Sequence, residues 1–171
     1  CPGRGKSVNF TENVRIVPLC NVPFAISVLK ELFIKEWEPW YCSNGRGNAE
    51  ADLLACCNQY EVPMAFVALK DEDQVLGTAA LKPRLDGINL DYGPWLGAVL
   101  VGKQYRGNGI GTMLINAIES KARSLGFQVI YTSTNSATSI LTRRGWISTG
   151  ENFHSLHGPI PIFCLDLERT T

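Results

Sequence analysis

The clearest hydrophobic pattern in the chain lies between residues 95 and 125. An apolar run from Trp95 to Val101 predicts a buried β-strand. After a glycine-rich stretch, apolar residues recur at intervals of three and four, which predicts an amphipathic helix. The positions of this helical period are Ile110, Met113, Leu114, Ala117, Ile118, Lys121, Ala122 and Leu125. A strand, a glycine-rich turn and a helix therefore follow one another directly.

The remaining pattern predicts three more helices and six more strands. One helix opens at Pro23 and places Ala25, Ile26, Leu29, Leu32, Phe33 and Trp37 on its apolar face. The other two helices are predicted at Ala49–Tyr60 and Ser136–Arg144, the latter closed by Gly145. The predicted strands are Val14–Pro18, Met64–Leu69, Val75–Leu81, Gln128–Thr132, a strand from Trp146 and Ile160–Leu167.

The order of these elements indicates the fold class. Strands and helices are interleaved without a linker or repeat, so we expect an α/β fold with a mixed sheet of about seven strands and helices on both faces. The 171 residues fit one domain, 1–171, in which residues 1–8 form a flexible N-terminus. His154 to Pro159 has the composition of a loop.

The turn before the central helix has the composition of a phosphate-binding loop. Gly107, Gly109 and Gly111 let successive backbone N–H groups face one point. The helix that begins at Ile110 adds its unpaired N–H groups and the positive end of its dipole. A P-loop would need Lys and then Ser or Thr after the last glycine, and a dinucleotide fingerprint would need glycine in place of Thr112. The loop therefore predicts a pyrophosphate site that is neither a P-loop nor a dinucleotide-binding fingerprint.

The spacing Arg106-x-x-Gly109-x-Gly111 resembles the R/Q-x-x-G-x-G/A acetyl-CoA motif of the GNAT N-acetyltransferases. The resemblance covers residues 60 to 150, and further segments fall in the family's order. These segments are Pro94-Trp95-Leu96, Tyr105-Arg106-Gly107, Ile130-Tyr131 and Arg144-Gly145-Trp146. It implies the GNAT acyl-CoA N-acyltransferase fold, in which the strands flanking the cofactor helix splay apart, and acetyl-CoA as co-substrate.

The resemblance also implies which residues hold this co-substrate. The backbone groups of Val99, Leu100 and Val101 would pair with the pantetheine arm, and the Val99 N–H would be the oxyanion donor. The amides of the cofactor loop would bind the pyrophosphate, with Arg106 nearby; the residues are Gly107, Asn108, Gly109, Ile110, Gly111 and Thr112. Asn135, at the end of a strand, is a candidate for a pantetheine or acceptor contact, although an Asn in a turn needs no function.

Charge and cysteine content exclude several classes of partner. Lys plus Arg and Asp plus Glu both number 16, so no net charge favours nucleic acid or an anionic membrane. No apolar run approaches the roughly 20 residues that span a bilayer. Six cysteines without a C-x-x-C spacing, and only two histidines, argue against a metal site. Free thiols and a cytoplasmic location are expected.

The acid and the base of an acetyl transfer are less clear from the sequence. Many GNAT relatives carry a tyrosine four residues before the Gly-Phe/Trp pair, and this position is Leu141, which cannot donate a proton. Some relatives carry a glutamate on the central strand, where this chain has Trp95. Asp91 precedes that strand and is our candidate base; Glu36, Glu38, His154, His157 and a water relay stay open.

We therefore expect an N-acetyltransferase that uses acetyl-CoA and acts on a small amine or an exposed peptide amine. The segment Glu36-Trp37-Glu38-Pro39-Trp40-Tyr41 either lines an amine pocket or covers the edge of the core. The alternative function is a non-catalytic acyl-CoA-binding module, which the missing tyrosine and glutamate motivate. Assembly as a homodimer is left open.

Overall fold

The computed structural model describes residues 13–36, 48–58, 60–83, 93–134, 138–155 and 158–167 of the 171. The elements in chain order are β1 (Val14–Pro18), α1 (Ala25–Glu36), α2 (Ala49–Ala55), β2 (Met64–Lys70), β3 (Gln74–Lys82), β4 (Trp95–Val101), α3 (Ile110–Ser124), β5 (Val129–Ser133), α4 (Thr138–Arg143), β6 (Ile147–Ser155) and β7 (Gly158–Asp166). This order confirms the predicted alternation of strands and helices.

The seven strands form one sheet in the order β1-β2-β3-β4-β5-β7-β6. β4 and β5 are parallel, while the other neighbouring strands run antiparallel. The parallel pair is joined by α3, because parallel neighbours need a crossover connection. The sheet is therefore mixed, as predicted, and its one parallel junction lies at its centre.

Helices cover the two faces of the sheet through separate hydrophobic clusters. One cluster contains the inward side chains of α3 and Leu141 of α4; the other contains those of α1 and α2. Residues of β2 alternate between the clusters, with Met64 and Ala68 facing α3 and Ala65 and Val67 facing α1. This two-residue period, with both faces apolar, is why β2 reads as a continuous hydrophobic run in the sequence.

A buried ion pair fixes α3 to the segment between α4 and β6. The Arg144 guanidinium donates to both carboxylate oxygens of Glu119, at 2.9 and 2.6 Å, and Trp146 Nε1 donates to the same carboxylate at 2.9 Å. Glu119 is 5% exposed. Hydrogen bonding to Glu119 raises the pKa of Arg144, although burial of the guanidinium opposes this shift. The Arg144-Gly145-Trp146 segment therefore anchors the central helix to the second half of the sheet.

The second helix is shorter than predicted. The second helix ends at Ala55 rather than Tyr60, because Asn58 Nδ2 donates to the Ala55 carbonyl at 3.0 Å and to the Pro63 carbonyl at 2.7 Å. This side-chain amide satisfies a terminal carbonyl that another helical turn would have paired.

The segment from His154 to Pro159 was predicted as a loop, and most of it belongs to strands. β6 extends to Ser155, and β7 begins at Gly158, with His154 paired to Pro159 and Ser155 to Gly158. Strand pairing overrides the turn-forming composition here, since each backbone is aligned by its neighbour in the sheet. Among the described residues, no helix is long and apolar enough to cross a membrane.

Candidate functional site

The sheet opens between β4 and β5. These two strands pair at one position, Trp95 with Tyr131, where the Tyr131 N–H donates to the Pro94 carbonyl at 3.0 Å. The next carbonyl of β4 on this edge, that of Leu96, accepts a hydrogen bond from the Thr132 hydroxyl at 2.8 Å. Beyond this point the strands no longer pair, so a slot begins in the middle of the sheet.

A β-bulge in β4 turns backbone groups toward this slot. Gly97 is opposite Ala80 and Leu100 is opposite Thr78, so two residues of β4 face one residue of β3. The side chains confirm that the alternation of the two faces shifts at the bulge, because Leu96 packs in the α3 cluster and Leu100 packs in the α1 cluster. Under strict alternation, residues four apart would share a face.

The hydrogen bonds at the two ends of β4 show the consequence for its backbone. Pro94 and Leu96 turn their carbonyls toward β5, whereas the Gly102 N–H donates to Leu76 of β3 at 2.8 Å. Backbone groups of even-numbered residues thus face β5 before the bulge and β3 after it. Val99 and Val101 therefore face the slot, and Leu100 between them faces β3. Gly97 was the sequence signal for this bulge, since glycine inside a strand pattern often marks one.

The glycine-rich loop leads into α3, whose N-cap residue Gly109 makes no side-chain cap. Gly107 and Gly109 have φ of +84° and +83°, a backbone conformation that glycine adopts freely. Gly109 is the N-cap of α3 and has no side chain to cap it, and no described side chain accepts from the first N–H groups of this helix. A Cβ at either glycine would have no atom within 4 Å, so the space beside the loop is open. The Asn108 side chain donates to the Tyr105 carbonyl at 2.9 Å and so holds the turn from within.

Arg106 takes a position that the sequence did not reveal. Its Nε donates to the Val101 carbonyl at 2.9 Å, and its Nη2 contacts Glu36 Oε1 at 3.0 Å. The guanidinium therefore lies along the slot edge of β4 and reaches the last residue of α1. Glu36 was one of the open candidates for the base, and the fold brings it to this edge. No local signal marks a contact between residues 70 positions apart.

Ser133, on the strand that borders the slot, has a buried polar atom without a hydrogen-bond partner among the described residues. Its Oγ is buried and, within the described part of the chain, forms no hydrogen bond. Ser133 is the last residue of β5, two positions beyond the paired Tyr131. Burying a hydroxyl without a partner is costly, so a hydrogen-bonding ligand is expected here. The orphaned hydroxyl, the slot-facing backbone of β4 and the open loop together fit coenzyme A.

An aromatic pair lies at the closed end of the slot. The rings of Trp95 and Tyr131 have centroids 5.5 Å apart, and Trp95 is fully buried. Burial raises the pKa of the Tyr131 hydroxyl, so this phenol stays protonated at neutral pH. Leu141, at the position of the family's tyrosine, is buried in the α3 cluster. Neither arrangement supplies a base.

Of the remaining candidates for the acid and the base, His154 lies within the described residues and the others do not. His154 lies in β6, as given above. Asp91, Asn135, His157 and Glu38 lie outside the described residues, as do Trp37, Trp40 and Tyr41. Within the described ranges, no group of three or more His, Cys, Asp or Glu residues could hold a metal ion.

Comparison with known proteins identifies relatives of this arrangement. A family model described as the acetyltransferase (GNAT) family matches residues 29–145, more than half of the chain. No curated protein sequence matches the chain.

Solved structures share the whole fold at low sequence identity. An aminoglycoside 6'-N-acetyltransferase complexed with coenzyme A aligns with a TM-score of 0.73 at 18% identity, over 92% of this chain and 99% of that one. An aminoglycoside 6'-N-acetyltransferase from Enterococcus faecium aligns with a TM-score of 0.69 at 17% identity, covering 92% and 99%. The yncA protein from Salmonella typhimurium, solved with acetyl-CoA, aligns with a TM-score of 0.67 at 16% identity, covering 93% and 96%.

Proposed function

Because the chain belongs to the GNAT family of acetyltransferases and is an acyltransferase, we propose that it transfers an acetyl group from acetyl-CoA to a primary amine. The transfer proceeds by direct attack of the amine within a ternary complex. The observation that carries this proposal is the slot between β4 and β5, where the bulge turns the backbone of Val99 and Val101 inward. The co-substrate supplies an activated acetyl thioester.

The chain's own groups would hold this thioester from one end to the other. The backbone of Val99 and the N–H of Val101 pair with the pantetheine arm as with another strand. The Val101 carbonyl keeps its hydrogen bond to Arg106, and Leu100 keeps β4 bonded to β3. Amides from Gly107 to Thr112 bind the pyrophosphate at the helix N-terminus. Asn135 is kept as a further contact of the pantetheine or the acceptor.

The Val99 N–H is the proposed oxyanion donor. Its backbone is directed into the slot because Val99 is the second of the two bulge residues between Gly97 and Leu100. A fixed N–H dipole of this kind stabilises negative charge that develops on the thioester oxygen, and it needs no reorganisation during the reaction. Positioning of the two reactants supplies much of the remaining rate.

This function is tested by measuring the free CoA thiol that is released from acetyl-CoA in the presence of a panel of amines. Acetyl-CoA is mixed with the protein and with aminoglycosides, polyamines or a peptide amine. Two of the similar solved structures given above are named as aminoglycoside acetyltransferases, so the aminoglycosides are tested first. We expect thiol release that depends on both the protein and a small amine. Tight binding of CoA without thiol release on any amine would favour the binding module instead.

We expect Ser133→Ala to weaken binding of CoA by about threefold to tenfold, because one hydrogen bond to the ligand is lost. The stability of the ligand-free protein should not fall, since the hydroxyl has no partner within the described residues. Isothermal titration with CoA and thermal unfolding measure the two effects. Thr132→Val is the matched comparison, because this hydroxyl is bonded to Leu96. It should lower stability by about 1–3 kcal/mol. Unchanged affinity in Ser133→Ala would remove Ser133 from the site.

We propose Asp91 as the base that takes the proton of the bound ammonium, since it directly precedes the strand that holds the thioester. We expect Asp91→Asn to lower turnover at saturating acetyl-CoA by about tenfold to a hundredfold, and His154→Gln and His157→Gln to cost less than tenfold. Rates are compared over the neutral pH range for all three variants. A large loss in a histidine variant with near-normal turnover in Asp91→Asn would reverse this ranking.

A further inference from the structure

Arg106 joins three parts of the site that are distant in sequence. It belongs to the glycine-rich loop, its Nε donates to the Val101 carbonyl of β4, and its Nη2 contacts Glu36 at the end of α1. The bond to Val101 fixes the plane of the guanidinium along the slot edge. The bond to Glu36 occupies a donor that would otherwise be available to an anion.

The Glu36 carboxylate and a bound pyrophosphate need the same partner. Arg106 directly precedes Gly107, where the run of proposed pyrophosphate-binding amides begins, so an anion held by these amides would be within reach of its long side chain. Planar guanidinium groups bind phosphate and carboxylate with the same forked geometry. The side chains of Arg106 and Glu36 are 46% and 43% exposed, so water screens their attraction and the pair exchanges readily.

We propose that Glu36 acts through Arg106 as an internal competitor of the cofactor's pyrophosphate. In the cofactor-free protein the carboxylate holds the Nη2 donor, and the pyrophosphate takes this donor when CoA binds. The end of α1 is thereby released from the cofactor loop only when the slot is filled. This inference rests on the proposed function, because it requires that the loop bind a CoA pyrophosphate.

A double-mutant cycle on CoA affinity tests the competition. Isothermal titration at low salt compares the parent protein with Glu36→Gln, Arg106→Gln and the double variant. Removal of the competitor should tighten CoA binding by about threefold to fivefold, since the ion pair that is lost is exposed to water. Arg106→Gln should weaken binding, and in that background Glu36→Gln should change the affinity less than twofold. The gain in Glu36→Gln should shrink as salt rises, because the lost pair is exposed.

Glu31→Gln is the matched control. Glu31 is an exposed glutamate on the same helix, so this variant removes the same charge at a distance from Arg106. We expect its CoA affinity to equal that of the parent. Equal tightening in Glu31→Gln, or undiminished tightening in the Arg106→Gln background, would mean that general charge rather than competition is responsible, and would overturn the inference.

Two other results separate this inference from the proposed function. Weaker CoA binding in Glu36→Gln would show that the carboxylate holds Arg106 in its binding orientation, which contradicts competition but leaves the function standing. A parent protein that does not bind CoA would overturn the proposed function, and the inference with it. Because both side chains are exposed, the variants should fold, and circular dichroism verifies this before titration.

Discussion

Glu119→Ala is expected to lower the free energy of unfolding by about 3–5 kcal/mol, because it leaves the partly buried Arg144 charge without its carboxylate. It also removes the acceptor of Trp146 Nε1, a buried donor. These losses separate the central helix from the segment before β6. Chemical denaturation, followed by fluorescence and by circular dichroism, measures the change.

Asn116→Ala is the matched control for Glu119→Ala. Asn116 lies on the same helix and its Oδ1 accepts from Arg144 Nη2 at 2.8 Å, but its side chain is exposed. Its replacement should cost less than about 1 kcal/mol. Glu119→Gln, which keeps an acceptor but not the charge, should fall between the two. A loss below about 1 kcal/mol in Glu119→Ala would show that the pair does not anchor the helix.

Gly109→Asp is expected to weaken CoA binding by at least about a hundredfold, or about 3 kcal/mol. The side chain would project into open space beside the loop, where no atom lies within 4 Å of a Cβ, and the pyrophosphate would occupy that space. A carboxylate beside a bound pyrophosphate places like charges together without an intervening cation, which costs several kcal/mol. Isothermal titration with CoA gives the affinity.

Gly126→Asp controls for backbone strain and charge in Gly109→Asp. Gly126 has a φ of +92° and open space around a Cβ, so it meets the same conformational penalty, but it follows the C-terminal end of α3. We expect lower stability in this variant with CoA affinity near that of the parent. If Gly109→Asp binds CoA within threefold of the parent, the phosphate site is not at this loop.

The sequence predicted the elements of the fold correctly where the signal was local, and it located the glycine-rich turn before α3. The periodicity from Ile110 to Leu125 identified α3 because one face of this helix is buried along its whole length. The positions of Gly107 and Gly109 were informative because both have a backbone conformation that few other residues adopt. The mixed sheet of seven strands followed from the order of these local patterns.

The geometry of the site was decided by contacts between distant segments. The opening of the sheet depends on the hydrogen bonding of β4 with β5, and the direction of the Val99 and Val101 backbone depends on a bulge defined by pairing with β3. Glu36 meets Arg106 only because α1 packs against the first half of the sheet. Hydrophobic periodicity fixes which face of an element is buried, but the register between strands and the pairing of remote charges depend on how those faces assemble. The sequence alone therefore determined that this chain has a glycine-rich turn before a central helix on a mixed sheet, while the tertiary structure determined where the slot opens and which side chains border it.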